Sequence, residues 1–333
     1  MRVVTNARND ERGAIAVIVA ICAILLFGFA AYSIDAGHTW ETRRHIVTGS
    51  DAAALATASA YARGTTGCNA IAADYLDRNV DGAALLTCDA HGAGNDSGYV
   101  TVRGETTVDY TFARIFGNTD SQIRAATTAE WGLPKGISGL RPFGLCIDAN
   151  QQLEDWLNLP NGPTGPSGEI TITYAKSNAA ACGGAHVPGN WGIMDFNGGS
   201  NPTGEIRDWI LNGYQGEIGL PSDVLGQPGA FSPATNSELE FLRDSGDWFA
   251  LPVFDTATGT GSGASLHVVA AVYVNLLDFQ SNGPEAGRYF TLKFDRGVLE
   301  GRCCSPTATD TGVRVLRICD VDTLSPDTSD KGC

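Results

Sequence analysis

Cysteine is the residue type whose placement in this chain most invites chemistry. Of nine cysteines, Cys22 stands alone inside an apolar run, while Cys68, Cys88, Cys146, Cys182, Cys303, Cys304, Cys319 and Cys333 are scattered downstream. An even, widely spaced set suits a disulfide framework in an oxidising compartment. The rival chemistry is a metal centre, but the chain has no C-x-x-C pair and no His at zinc-ligand spacing. Cys68–Cys88 is the expected local bridge. Cys303 and Cys304 are adjacent, so separate partners are expected for them among Cys146, Cys182, Cys319 and Cys333.

Nucleophilic arrangements are fewer. Cys182 and His186 could pair thiol with imidazole, although an exported cysteine is more often bridged. Ser265-Leu266-His267 sets a hydroxyl near an imidazole, on a stretch where strand neighbours face opposite sides. Gly259 to Gly263 is glycine-rich but lacks the Gly-Lys-Ser/Thr of a phosphate loop. These readings predict no enzyme, and no cofactor or metal site is assigned.

The elements that must position these residues begin with a membrane segment. Ala14 to Ile34, AIAVIVAICAILLFGFAAYSI, is 21 residues without a charge. As a helix it would run roughly 31 Å, the thickness of a bilayer core. Arg2, Arg8 and Arg12 precede it and Asp35 follows, which predicts a cytoplasmic N-terminus over residues 1–13. The competing reading is a cleaved signal with Ala30 before the cut and Ala31 after it. The apolar run exceeds the usual length of a signal's hydrophobic region, so a retained anchor is expected.

Charge divides along the same line. The whole chain has 333 residues and a formal net charge of −15. Residues 1–63 carry a net +1 and the remainder −16. Such an acidic exterior excludes a nucleic-acid binder, which needs a basic face to displace phosphate counterions.

Beyond the anchor, residues 39–63 lack Pro and end in an Ala-rich run, favouring helix. Trp40, Val47, Ala54 and Tyr61 recur every seven residues, a stripe for packing on neighbouring subunits or on the chain's own globular part. NAIAADYLDRN predicts a short helix over 69–79. YVTVRGETTVDYTF alternates as a strand, FARIFG is expected to form a short turn or helix, and SQIRAATTAEWG is a further expected strand.

The start RGAIAVIVA, the exit YSIDAG, the RR pair, SDAAALATASA and FARIFGNTDSQIRAATTAEWG together resemble the TadE/TadG-like family of Tad (Flp) pilus-assembly proteins, over roughly residues 12–132. The resemblance implies a single-pass protein of a bacterial cell membrane, N-terminus inside, working with other Tad pilus or secretion components. Its motif residues fall here on Asp35, Gly37, Arg44, Asp51, Ala52, Ala53 and Ala54. Pilin-like members are cut after a Gly and carry Glu five residues later. Gly13 and Ala14 would flank that cut, but Ile18 occupies the Glu position, which favours a TadG-like, permanently anchored accessory protein.

Leu133 to Gly139 reads as a linker, and a second module follows over 133–333. QQLEDWLNL and EIRDWILNGY are expected helices; GEITITYA, the two arms of ALPVFDTATGTGSGASLHVVAAVYVNLLDF, RYFTLKFDRG and VRVLRICDV are expected strands. Some TadG-like proteins carry a von Willebrand A-type domain here, whose Asp-x-Ser-x-Ser binds Mg2+. The nearest stretch, Asp195-Phe196-Asn197-Gly198-Gly199, lacks both serines. Trp191 and Trp209 read as core or turn anchors. Ca2+ or another extracellular ligand is left unassigned.

The expected fold is α+β: a transmembrane helix at 14–34, a helical stalk with a small α+β module at 35–132, and a larger mixed or mainly β extracytoplasmic domain at 133–333. The expected function is structural, in pilus assembly. The rival is a surface adhesin binding its ligand through 133–333.

Overall fold

The structure is a computed structural model and describes residues 12–92, 97–149, 151–158, 168–173, 191–199, 203–227, 233–259 and 264–322. Helix and strand both contribute heavily, so the chain is α+β.

The first element, α1 (Arg12–Ala62), is one helix of 51 residues, roughly 76 Å long at about 1.5 Å per residue. The absence of Pro allows the backbone ladder to run unbroken through the apolar segment and into the Ala-rich stretch. Its two halves differ in exposure. Between Ile15 and Ile34 the large apolar side chains are 54–76% exposed. Beyond Ile46 the inward side chains, Ala53, Ala54, Ala58 and Ala62, are buried. Among the described residues, one helix is long and apolar enough to cross a membrane, and it lies near the N-terminus.

The second half of α1 packs with α2 (Cys68–Asn79) on a five-stranded sheet. Gly49 makes the close approach: a Cβ there would run into Val80 and Leu76 beside it. Strands β1 (Ala84–Gly92), β2 (Gly98–Asp109) and β3 (Asp120–Gly132) form an antiparallel meander. Val100, Val102 and Val108 of β2 point into the core beneath the helices, as the alternation predicts.

This sheet is completed from the far end of the chain. The strand that will be called β15 (Val313–Asp322) pairs antiparallel with β3, and β13 (Gly297–Leu299) pairs parallel with β15. Residues on both sides of Leu133 thus build the sheet that packs against α1. The expected linker is also structured: β4 (Pro134–Ile137) pairs with β8 (Ile218–Gly219) and β14 (Gly301–Cys303). Ile137 is fully buried, so this short stretch gains a core contact that Pro and Gly content alone conceals.

The outer sheet has seven strands. In order they are β10 (Trp248–Thr258), β5 (Phe143–Cys146), β7 (Trp191–Asp195), β9 (Ser222–Gln227), β11 (Ser265–Gln280), β12 (Tyr289–Asp295) and β6 (Glu169–Thr173). Because β10 also pairs with β11, the hydrogen-bonded circuit from β10 through β5, β7, β9 and β11 closes on itself. Phe143 stacks on Phe290 at 5.1 Å inside this core. Helices α3 (Gln151–Leu157), α4 (Thr203–Asn212) and α5 (Asn236–Ser245) bring Trp156, Trp209 and Leu239 into it.

A buried ion pair sits where β15 begins. Arg314 is almost wholly buried and makes two parallel hydrogen bonds to Asp310, at 2.7 and 2.8 Å. Burial pushes the Asp310 carboxyl up, but the Arg314 guanidinium and the Gly312 amide bring it below its ordinary value.

Candidate functional site

Of the residues singled out by motif, Asp35 has the most developed surroundings. It follows the last residue of the apolar run and is only 7% exposed. Its Oδ1 accepts the Thr111 N–H at 2.9 Å, and its Oδ2 accepts those of Phe112 and Ala113 at 3.0 and 2.7 Å. These amides open the single 3-10 turn Ala113–Phe116, whose own preceding residue Phe112 offers no side-chain cap. The first N–H groups of a helical turn lack internal partners, and here a carboxylate from another element supplies them. Gly117 closes the turn with φ of 90°, in the left-handed region that Gly adopts readily. Burial raises the Asp35 pKa, while the three amides and nearby His38 lower it, leaving it below the ordinary carboxylate value.

The tether creates a groove of about 550 Å³ between α1 and the 110–118 loop. Gly28, Tyr32 and Arg43 mark its helix wall from bottom to top, and Phe112 and Phe116 stand on the loop wall. Gly37 lies on exposed helix where a Cβ would meet nothing, and Arg44 is also exposed. Neither is explained by packing within the chain.

Asp51 has a different role. The Thr127 hydroxyl donates to its Oδ1 at 2.7 Å, tying α1 to β3, while burial pushes the carboxyl up. Ala53 and Ala54 are fully buried on the sheet, and Ala52 is half-buried. The seven-residue stripe divides accordingly. Val47, Ala54 and Tyr61 pack on the chain's own module, with Tyr61 5.6 Å from Trp131, whereas Trp40 is left 65% exposed. Of the processing positions, Gly13 and Ala14 fall in the first turn of α1, and Ala30 and Ala31 lie within its continuous run.

The cysteines separate into clear groups. Cys68, at the start of α2, is bonded to Cys88 on β1 as expected. Cys146 and Cys319 are disulfide-bonded, and Cys22 is free and exposed. Cys182 and Cys333 lie outside the described residues. The adjacent Cys303 and Cys304 stand with their sulfurs against each other. The pair sits beside Gly132 and Val315, in the proximal sheet, while Cys146 is on β5 of the outer sheet and Cys68 is already engaged. Glu130 lies close by, its carboxylate within 4.8 Å of both sulfurs, but it is ion-paired with Arg317.

Ser265 and His267 are two apart, and so share one face of β11; the opposite-face expectation holds only for immediate neighbours. His267 Nδ1 contacts Asp223 Oδ1 at 2.9 Å, and no hydrogen bond joins His267 to Ser265. Asp195 accepts the N–H groups of Asn197 and Gly198 at 3.2 and 2.8 Å, which makes it a turn former. Trp209 packs against Phe196 and Tyr214 in the outer core, as its reading as an anchor predicts. Cys182–His186 and Gly261–Gly263 lie outside the described residues.

Compared with family models, curated proteins and solved structures, the chain matches none. What can be said of its role therefore comes from the site. The functional features that sequence reasoning missed are the cap that Asp35 places on a turn 76 residues away, and Gly49. The only sequence signal for the first was an acid at the end of an apolar run beside a hydrophobic turn, FARIFG.

Proposed function

We propose that the chain is a single-pass, membrane-anchored structural component, an accessory and minor pilin-like part of a Tad/Flp-type pilus-assembly or secretion apparatus. The observation that carries the architectural half of this reading is α1. An apolar half whose side chains have no protein cover continues without a break into a half packed under a folded module. Such a helix transmits the position of the membrane rigidly to the sheet above it. The apparatus is inferred from the resemblance at Asp35, Asp51 and the Ala run, and two of these motif positions have structural work: Asp35 holds the FARIFG turn and Asp51 holds β3. The reading places the basic N-terminus in the cytoplasm and the acidic, disulfide-bearing modules outside.

The test is cross-linking of the full chain in native membranes, followed by mass spectrometry of what is captured. Recovery of a secretion ATPase and small Flp-type pilins is the expected result. Their absence, together with glycan binding by the intact purified chain, would replace this reading with that of an anchored adhesin.

A further inference from the structure

The turn Ala113–Phe116 exposes two adjacent large apolar side chains, Ile115 at 77% and Phe116 at 81%. The surrounding module places Leu76, Val100 and Ile46 in its core, and its next most exposed large apolar side chains beyond α1, Tyr75 and Leu86, are only 41% exposed. The height of the turn is not free. Asp35, the first residue after the uncharged run, grips its first amides, and Phe116 lines a groove that runs from Arg43 and Trp40 down to Gly28, Ala31 and Tyr32. Those helix residues lie three to seven positions before Asp35, roughly 5–10 Å lower along the axis, within the uncharged run. The turn is therefore held at the end of the uncharged run and shares its groove with helix residues that, on the anchor reading, are already in hydrocarbon.

We propose that this turn is a second membrane contact, with Ile115 and Phe116 seated in the outer leaflet and the groove behind them filled by phospholipid. Two observations favour lipid as the occupant. The apolar wall of the groove is continuous with the exposed face of α1, so whatever solvates that face reaches the turn. Polarity is also ordered along it: Gly28 and Ala31 at the bottom, Tyr32 and Trp40 at the middle, and Arg43 at the top. Aromatic rings concentrate at the headgroup level, and a guanidinium above them suits a lipid phosphate. Asp35 is then a clamp that sets the depth and tilt of the module on the bilayer. The inference rests on the anchor reading of residues 14–34.

The experiment uses the full chain, carrying Cys22→Ala, in nanodiscs of phosphatidylethanolamine and phosphatidylglycerol. Nitroxide is attached in separate samples through Phe116→Cys, Ile115→Cys, Phe27→Cys and Thr48→Cys, all at exposed positions. Collision rates with oxygen and with a water-soluble nickel chelate are then read by electron paramagnetic resonance. Labels at 115 and 116 should resemble that at 27, rich in oxygen and poor in nickel, while the label at 48 shows the reverse. A label at 116 that matches 48, with 27 still in lipid, overturns the second contact alone. Shielding at 116 from both reagents also overturns it, because a protein partner then fills the groove. A label at 27 that is open to nickel fails the anchor reading itself.

Discussion

The two halves of α1 are one helix with two kinds of surface, one uncovered and one packed. From Ile15 to Ile34 it carries Ile, Leu, Val and Phe on every face and none is covered by protein. From Ile46 to Ala62 the inward positions shrink to Ala, and they are fully or almost fully buried. Bulk without cover suits hydrocarbon, where side chains pack against lipid tails. Small size with cover suits close packing on a sheet, since an Ala stripe allows the helix backbone to approach β2 and β3. The difference shows that apolar content alone does not distinguish a span from a core helix; side-chain size and what lies opposite do. Asp35 directly follows the uncovered apolar run.

The contrast is broken most strongly from the far end of the chain, because the sheet that receives the packed half is completed by β15. Arg314→Ala leaves the Asp310 carboxylate partly buried without its guanidinium. The expected loss is about 3–5 kcal/mol, the usual consequence of removing one partner of a buried pair. Equilibrium denaturation of the detergent-solubilised chain measures it. Membrane insertion of the first half should be unchanged, and a chain lost from the membrane fraction would mean that the two halves are not separable. A smaller break is Cys68→Ser with Cys88→Ser, which opens a link across 20 residues of the packed module. About 3 kcal/mol is expected from a loop of that order, read as the shift in denaturation free energy against the parent chain.

A same-residue test sharpens the comparison directly. Ala58→Leu adds bulk where Ala58 is fully buried under the sheet, and should cost about 1–3 kcal/mol through overpacking. Ala20→Leu adds the same bulk on the exposed, apolar half and should leave the denaturation midpoint of the module unmoved. Equal effects at both positions would remove the distinction between the halves.

Much of this architecture is legible without coordinates. The uncharged run, the Pro-free helix after it, the alternation of β2 and the β-rich composition of β3 and β12 are local patterns, and they form the expected elements. Illegible features depend on partners far away in the chain. Nothing in VRVLRICDV says that it pairs with β3 across some 180 residues rather than joining the outer sheet. Pro134 and Gly136 look like a linker because strand identity there comes from β14 and β8. The partners of Cys146 and Cys319 depend on which sulfurs the sheets bring near, which spacing along the chain does not show. For the candidate site, Asp35 and Asp51 were visible as motif positions, but their work was not. Both act through elements about 76 residues away.

The smallest expected effect probes the boundary itself. Asp35→Asn keeps the shape of the side chain but removes its charge, and the carboxamide offers one oxygen where the carboxylate offers two to three amides. Hydrogen exchange protection at Thr111, Phe112 and Ala113 should fall several-fold, with the β2 and β3 amides unchanged. The pH dependence carries a definite sign. The folded Asp35 carboxyl titrates below its ordinary value of 3.8, so its contribution is complete above that pH and is lost as the pH falls through the lower, folded value. Protection factors at the turn, corrected for intrinsic exchange, should therefore hold steady down to the ordinary carboxylate range and decline below it in the parent chain. In Asp35→Asn they should start low and stay flat. A parent chain whose turn loosens as the pH rises would mean that a neutral carboxyl, and not the carboxylate, holds FARIFG against the helix. The uncovered and packed parts of α1 would then meet at an uncharged contact.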